Sequence, residues 1–430
     1  MTLRHLPTVL AGCWLTAAAS LAQTPAQNGA IVATPDHPDG VYQPGDTIHW
    51  QIKAMDKEGK PATSVSYTVK KGGLTVAGVG AVKLIDGVGA LDFVATEPET
   101  LLASFQADDV PLKGAGGAVV SPEKLKAGAP CPEDFDAFWA GKQAELAKVA
   151  PNPLLTEAPS ERDKVSYAKI TLDNIGGTHV QGQIARPVSG EKFPALLQVQ
   201  YAGVYPLQKA WVTDKAARGW LAMNIEAHDL PIDNPEDFYK TAAAGPLNNY
   251  PMIGSGNRET SYFVRMFLGC QRAAEYLTSR PDWDGKTLVV MGTSQGGLQS
   301  FVTAVLFPKV TAVIVEVPAG CDTSAEQAGR AFGWPYWAAS HSDAVMTTSH
   351  YFDAVNFAAR IKCPLLVGVG LLDVTAPAGC VYAAFNAAPV PKEIVPMPLA
   401  DHKRAHEALF KRREVWLKAL VAGQPAPIEK

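Results

Sequence analysis

Charge is scarce in this chain. Only 19% of its 430 residues are Asp, Glu, Lys or Arg, and the formal net charge is −4. With no basic field, nucleic acid and anionic membrane surfaces are not expected partners. Cysteine is sparse as well: six residues and no Cys-x-x-Cys pair, which argues against a zinc or dithiol redox motif. Beyond the amino-terminal stretch no run reaches the roughly 18 apolar residues of a membrane-spanning helix, so no transmembrane segment is expected. Internal repeats and low-complexity tracts are also missing. What is plentiful is hydrophobic material, 47% of residues, ample for a packed core. The length exceeds one average domain, so two are expected.

The first residues read as an export signal, with Arg4 and His5 ahead of an apolar stretch from Thr8 to Leu21 and small residues at Ser20-Leu21-Ala22. An exported protein, periplasmic or secreted, is the expectation. Leu10-Ala11-Gly12-Cys13 offers the alternative of a lipid anchor on Cys13, although the apolar run continues past it. Cleavage would leave Cys131, Cys270, Cys321, Cys363 and Cys380, an odd number, so at least one thiol stays free unless chains pair.

Residues 28–112 read as all-β. Short runs such as Thr47 to Ile52 and Ala90 to Val94 alternate in polarity and are broken by Pro44-Gly45-Asp46, Gly72-Gly73 and Asp86-Gly87. Their spacing suggests a small immunoglobulin-like sandwich. A linker is expected over 113–131, with Gly114-Ala115-Gly116-Gly117 as its hinge. From Pro132 to about residue 422 apolar runs alternate with helical segments, the pattern of an α/β domain with a mainly parallel sheet.

Met291-Gly292-Thr293-Ser294-Gln295-Gly296-Gly297 carries the chemistry. Gly-x-Ser-x-Gly between the apolar strand Leu288 to Met291 and a helix from Gln295 forms a sharp turn that presents a serine nucleophile. An acid and a histidine should follow in chain order, as in the α/β-hydrolase fold. Asp373 sits just past the apolar strand beginning at Leu365, where open α/β sheets place functional groups. His402 lies in the loop after the strand around Glu393 to Val395. His406 is four residues on, but Lys403-Arg404-Ala405 between the two histidines supplies no glutamate and a positive field, against a metal pair. His406 is instead expected on the solvated side of the last helix. A serine hydroxyl needs an imidazole to take its proton and a carboxylate to fix the tautomer. The oxyanion then needs amide donors, expected from Gln295 and, at the end of an earlier strand, Tyr201. Trp334, Tyr336 and Trp337 could form a platform for a sugar ring, against a lid or core role. Gly368-Val369-Gly370-Leu371-Leu372-Asp373 is a poor dinucleotide loop, because Asp373 stands where a third glycine belongs.

At these residues the chain resembles the acetyl xylan esterase and cephalosporin C deacetylase family, carbohydrate esterase family 7. The shared marks over roughly residues 130 to 420 are Asp134-Phe135-Asp136-Ala137-Phe138-Trp139, Gln198-Val199-Gln200-Tyr201 and Gly292-Thr293-Ser294-Gln295-Gly296. Tyr351 to Arg360, Val369 to Asp373 and Pro391-Lys392-Glu393-Ile394 are similar too. The resemblance implies an esterase that releases acetate from O-acetylated sugars through Ser294, His402 and Asp373, with no metal and no cofactor. It also implies acetylated oligo- or polysaccharide as partner and a homo-oligomer of ring form. Two marks differ: Glu226-Ala227-His228-Asp229 stands where the family has Arg-Gly-Gln, and Lys403 rather than glutamate follows His402. Two other readings remain open on the residues: a serine hydrolase for other esters or amides, and a non-catalytic carbohydrate binder on a hydrolase fold.

Overall fold

The structure, a computed structural model, describes residues 30–429. The export segment and Cys13 fall outside them. Eight strands make an N-terminal unit: β1 (Ala30–Pro35), β2 (Val41–Tyr42), β3 (Thr47–Met55), β4 (Ser64–Lys71), β5 (Thr75–Lys83), β6 (Val88–Val94), β7 (Glu99–Ala107) and β8 (Lys113–Val120). They hydrogen-bond in the order β5-β4-β7-β8-β1-β3-β6, with β2 beside β8. The period-two pattern explains the burial: in β3, Ile48, Trp50, Ile52 and Ala54 face the core and the residues between them face water. Val65, Val69, Leu101, Ala103 and Phe105 fill the same core from β4 and β7.

The glycine stretch 114–117 is not a hinge. It lies inside β8, paired antiparallel with β7 and parallel with β1. Glycine is required there by close approach: a Cβ on Gly114 would stand 1.9 Å from the Ile31 carbonyl oxygen, and one on Gly116 2.8 Å from the Trp50 indole. Gly117 faces the second unit instead. A Cβ there would meet Leu371 Cβ at 2.6 Å and the Leu371 carbonyl oxygen at 2.7 Å. One on Gly40 would lie 2.7 Å from Leu371 Cδ1. Val119, one strand position beyond Ala118, is buried in the core of that second unit. Gly117→Val should therefore force the two units apart and lower stability by about 2–3 kcal/mol. A urea midpoint equal to wild type would contradict this close contact.

The second unit begins with α1 (Phe135–Ala147), followed by β9 (Leu154–Ala158), β10 (Val165–Asp173), β11 (His179–Pro187) and β12 (Phe193–Val199). Next come α2 (Ala210–Ala216), β13 (Leu221–Ile225), α3 (Glu236–Ala244), α4 (Tyr262–Ser279), β14 (Trp283–Thr293) and α5 (Gln295–Leu306). The chain ends with β15 (Ala312–Glu316), α6 (Asp343–Ser349), α7 (Ala354–Ala358), β16 (Leu365–Gly370), α8 (Ala378–Ala387), β17 (Lys392–Met397) and α9 (Glu407–Val421). The sheet order is β17-β16-β15-β14-β12-β13-β11-β10-β9. Strands β12 to β17 are parallel to one another, while β11, β10 and β9 continue the sheet antiparallel. Both faces are covered, which is why the parallel strands read as unbroken apolar runs. Helices α2 and α9 bury Val212, Ala216, Leu409 and Trp416 on one face. Phe135, Phe267, Phe301, Phe357 and Val381 from α1, α4, α5, α7 and α8 fill the other. Among the described residues all five cysteines are free thiols.

Candidate active site

The site forms at the carboxyl ends of the parallel strands, around the middle strand β14. Ser294 joins β14 to α5 with φ 58° and ψ −120°, a conformation that costs a non-glycine residue energy. Its neighbours explain how the turn can be so tight. A Cβ on Gly292 would lie 2.3 Å from the Gly296 carbonyl oxygen, one on Gly296 2.7 Å from the Val199 carbonyl, and one on Gly297 2.7 Å from Pro318. The backbone is pinned as well: the Ser294 N–H donates to the Glu316 carbonyl at 2.9 Å, and the Ala319 N–H to the Ser294 carbonyl at 3.0 Å. The hydroxyl thus stands at the N-terminus of the twelve-residue helix α5, where the helix dipole favours negative charge.

His402 and Asp373 converge on that hydroxyl. His402 Nε2 lies 2.8 Å from Ser294 Oγ, and His402 Nδ1 lies 2.7 Å from Asp373 Oδ2. The other oxygen of Asp373 accepts the N–H groups of Thr375 and Ala376, both at 2.8 Å. A side chain with no solvent exposure is thereby held in one orientation. The imidazole keeps 19% exposure, enough for a substrate to reach it.

The expected oxyanion donors lie at the ends of two neighbouring elements. Residue 295 begins α5, and Tyr201 follows the end of β12. Neither amide makes a hydrogen bond to backbone among the described residues. Tyr201 is 43% exposed, so it is no core aromatic. It stacks on Tyr205 with ring centroids 4.6 Å apart, and Trp211 stands edge-on to both. The Tyr205 hydroxyl donates to the Tyr201 carbonyl at 2.9 Å, bracing the loop. Tyr205 and Trp211 had no periodic signal in the sequence to single them out.

Behind this loop lies the segment Glu226 to Asp229, at the end of β13. His228 Nε2 donates to the Gly203 carbonyl at 2.9 Å and its Nδ1 accepts from the Tyr262 hydroxyl at 2.7 Å, which defines a neutral imidazole. Burial agrees, pushing its pKa down to about 4. Burial also pushes the Glu226 carboxyl up to about 8, and its Oε1 has no partner. The Tyr250 ring meets His228 edge-on at 4.5 Å, and its hydroxyl donates to the Gln295 side chain. Both sides of the expected oxyanion site are therefore tied to one buried aromatic cluster.

One alternative is decided and one expectation needs correction. Of platform, lid and core, Trp337 is core: it is 3% exposed, its indole N–H donates to the Pro251 carbonyl at 2.9 Å, and its ring packs edge-on against Phe263. Trp334 is half-buried, with its N–H on the Thr375 carbonyl at 2.8 Å, while Tyr336 is exposed. His406 is buried at 5% exposure, not solvated, because its ring, just ahead of α9, turns inward to the Glu316 carboxylate.

Residues 123–420 match the family described as acetyl xylan esterase (AXE1). The acetyl esterase Axe7A of Xylanibacter ruminicola is 28% identical over 397 residues, spanning 91% of this chain and 90% of that one. That span is too long to be contained in the α/β unit. Among solved structures, an acetyl xylan esterase from Paenibacillus sp. R4 superposes with a TM-score of 0.59 at 22% identity, covering 68% of this chain and 98% of the other. Acetyl xylan esterase 1 from Thermoanaerobacterium sp. JW/SL YS485 gives 0.56 at 23%, covering 67% and 97%. These likenesses identify the larger unit as an α/β-hydrolase fold.

Proposed function

The chain belongs to the acetyl xylan esterase family and so is a carboxylic-ester hydrolase, and from that premise we propose an exported serine esterase that removes O-acetyl groups from carbohydrate. The reading rests on one observation, the continuous chain of contacts from Ser294 through His402 to Asp373 at 2.8 and 2.7 Å. In it, His402 Nε2 takes the serine proton as Oγ bonds to the acetyl carbonyl carbon, while Asp373 holds the proton on Nδ1. The carbonyl oxygen becomes an oxyanion facing the Tyr201 and Gln295 amides. Collapse breaks the bond to the sugar oxygen, which leaves with the proton from His402. Water then repeats the sequence on the acetyl-enzyme and releases acetate.

Tyr201, stacked on Tyr205 at the rim, supplies a flat apolar surface for a sugar ring. It takes the part first considered for Trp337. In this reading residues 30–120 form an immunoglobulin-like unit carried in front of the esterase unit of residues 132–422. No helix of the described residues is long and apolar enough to cross a membrane.

A panel of substrates tests the assignment. Acetate should be released from acetylated xylan or small acetylated sugars, and acetate esters should be cleaved faster than butyrate, longer acyl or amide analogues. Amide cleavage exceeding acetate cleavage would overturn the reading in favour of another serine hydrolase. An inert Ser294 towards a fluorophosphonate would favour a carbohydrate binder on the same fold.

A further inference from the structure

His406 and Glu316 lie outside the proton path just described, yet they join its two halves. The Glu316 backbone carbonyl accepts the Ser294 N–H at 2.9 Å. Its side-chain Oε2 accepts from Thr293 Oγ1 at 3.2 Å, and its Oε1 lies 2.7 Å from His406 Nδ1. The other nitrogen of His406, Nε2, lies 2.7 Å from the carbonyl oxygen of Asp401, the residue before His402. A carbonyl can only accept, so Nε2 carries a proton. The contact at Nδ1 also needs a proton, since a neutral ring would otherwise turn a lone pair onto a carboxylate oxygen. Two protons are thus required across the bridge. Oε2 already accepts from Arg413 Nη1 at 3.3 Å and from Thr293 Oγ1, and the second proton is assigned to the ring.

We propose that His406, as an imidazolium clamped between Glu316 and the Asp401 carbonyl, is a positioning residue that holds His402 in reach of Ser294 and releases it when the bridge loses a proton at alkaline pH. The proposal rests on the reading of Ser294 and His402 as nucleophile and base.

The charges facing the ring come from every neighbouring element. Glu316 ends β15, Asp373 approaches from the turn after β16, and Arg413 lies along α9. Asp401 turns its carboxylate away onto Arg404, and Glu407 follows His406 in the first turn of α9. Burial opposes the charged ring, but Glu316 and the Asp401 carbonyl outweigh it, holding the group above the ordinary histidine value of 6.5. A histidine raised by folding stabilises fully below its unfolded value, and that stabilisation fades as pH rises through the raised one. The clamp therefore weakens on the alkaline side. Displacing a reacting group by about 1 Å can cost about 100-fold in rate, so partial release suffices.

The test is the pH dependence of kcat and KM for an acetate ester in wild type, His406→Gln and Glu316→Gln. Wild type should show an alkaline fall in kcat of about tenfold or more with KM little changed. His406→Gln should have a lower, flat alkaline side and an unaltered acid side. In Glu316→Gln the amide can donate to a neutral His406 Nδ1, so kcat should recover towards wild type while the alkaline fall disappears. Nitrogen-15 spectra of histidine-labelled protein, assigned by difference from His406→Gln, should give a doubly protonated ring at neutral pH. A singly protonated ring, or alkaline limbs that superimpose in all three proteins, would overturn the clamp. Absence of hydrolysis on every ester would refute the esterase reading instead, and the spectra would still decide the state of His406.

Discussion

Ser294→Ala is expected to lower acetate-ester hydrolysis by at least about 10⁴-fold, with an unchanged thermal unfolding midpoint. The fold is spared because alanine occupies the same space and meets the same backbone requirement at φ 58°. Neither contact that pins the turn, to the Glu316 carbonyl and from the Ala319 N–H, uses the side chain. What disappears is the only atom that could bond to the acyl carbon. Any remaining rate would come from water activated by His402 and from the amide donors. Turnover within about tenfold of wild type, in protein free of wild-type contamination, would remove Ser294 from the mechanism.

Asp373→Asn should cost kcat about 10⁴-fold while leaving KM for a small ester nearly unaltered. The reason lies in the fixed partners of the carboxylate. Oδ1 accepts two backbone N–H groups, from Thr375 and Ala376, so an amide must place its oxygen there. Its NH₂ then points at His402 Nδ1, which can only accept. The single proton of the neutral ring moves to Nε2, facing Ser294 Oγ, and the base can no longer take the serine proton. The opposite flip would set the NH₂ against two backbone donors in a site without solvent. Near-wild-type kcat in a folded Asp373→Asn protein would show that the carboxylate does not select the tautomer.

Much of the α/β unit was readable because its strands are buried on both faces. Leu221 to Ile225 and Leu365 to Gly370 are uninterrupted apolar runs, and the glycines around Ser294 mark a turn no other residue type could make. Chain order then pointed to Asp373 and His402. The distances between them depend on three separate loops, which no local pattern encodes. The short helices α2, α3 and α6 lacked enough turns to establish a period. Misreadings arose where a residue type serves a tertiary contact. Gly114 to Gly117 have the composition of a flexible linker, yet each of the three glycines is small because something presses on it. His406 sits in a polar segment, Lys403-Arg404-Ala405-His406-Glu407, and only the position of Glu316, ninety residues earlier, turns it inward. For Trp337 the sequence left sugar surface, lid and core all open, because nothing in the segment reveals Phe263 and Pro251 waiting beside it.

The seam at Leu371 has a bearing on how such enzymes can be reassembled. Gly40 and Gly117 lie against a residue two positions before Asp373, so the front unit forms part of the wall behind the acid-bearing turn. The two units cannot be exchanged like beads on a string. A graft that imported a different front unit would have to bring its own hollow for Leu371, or change that residue in the same step.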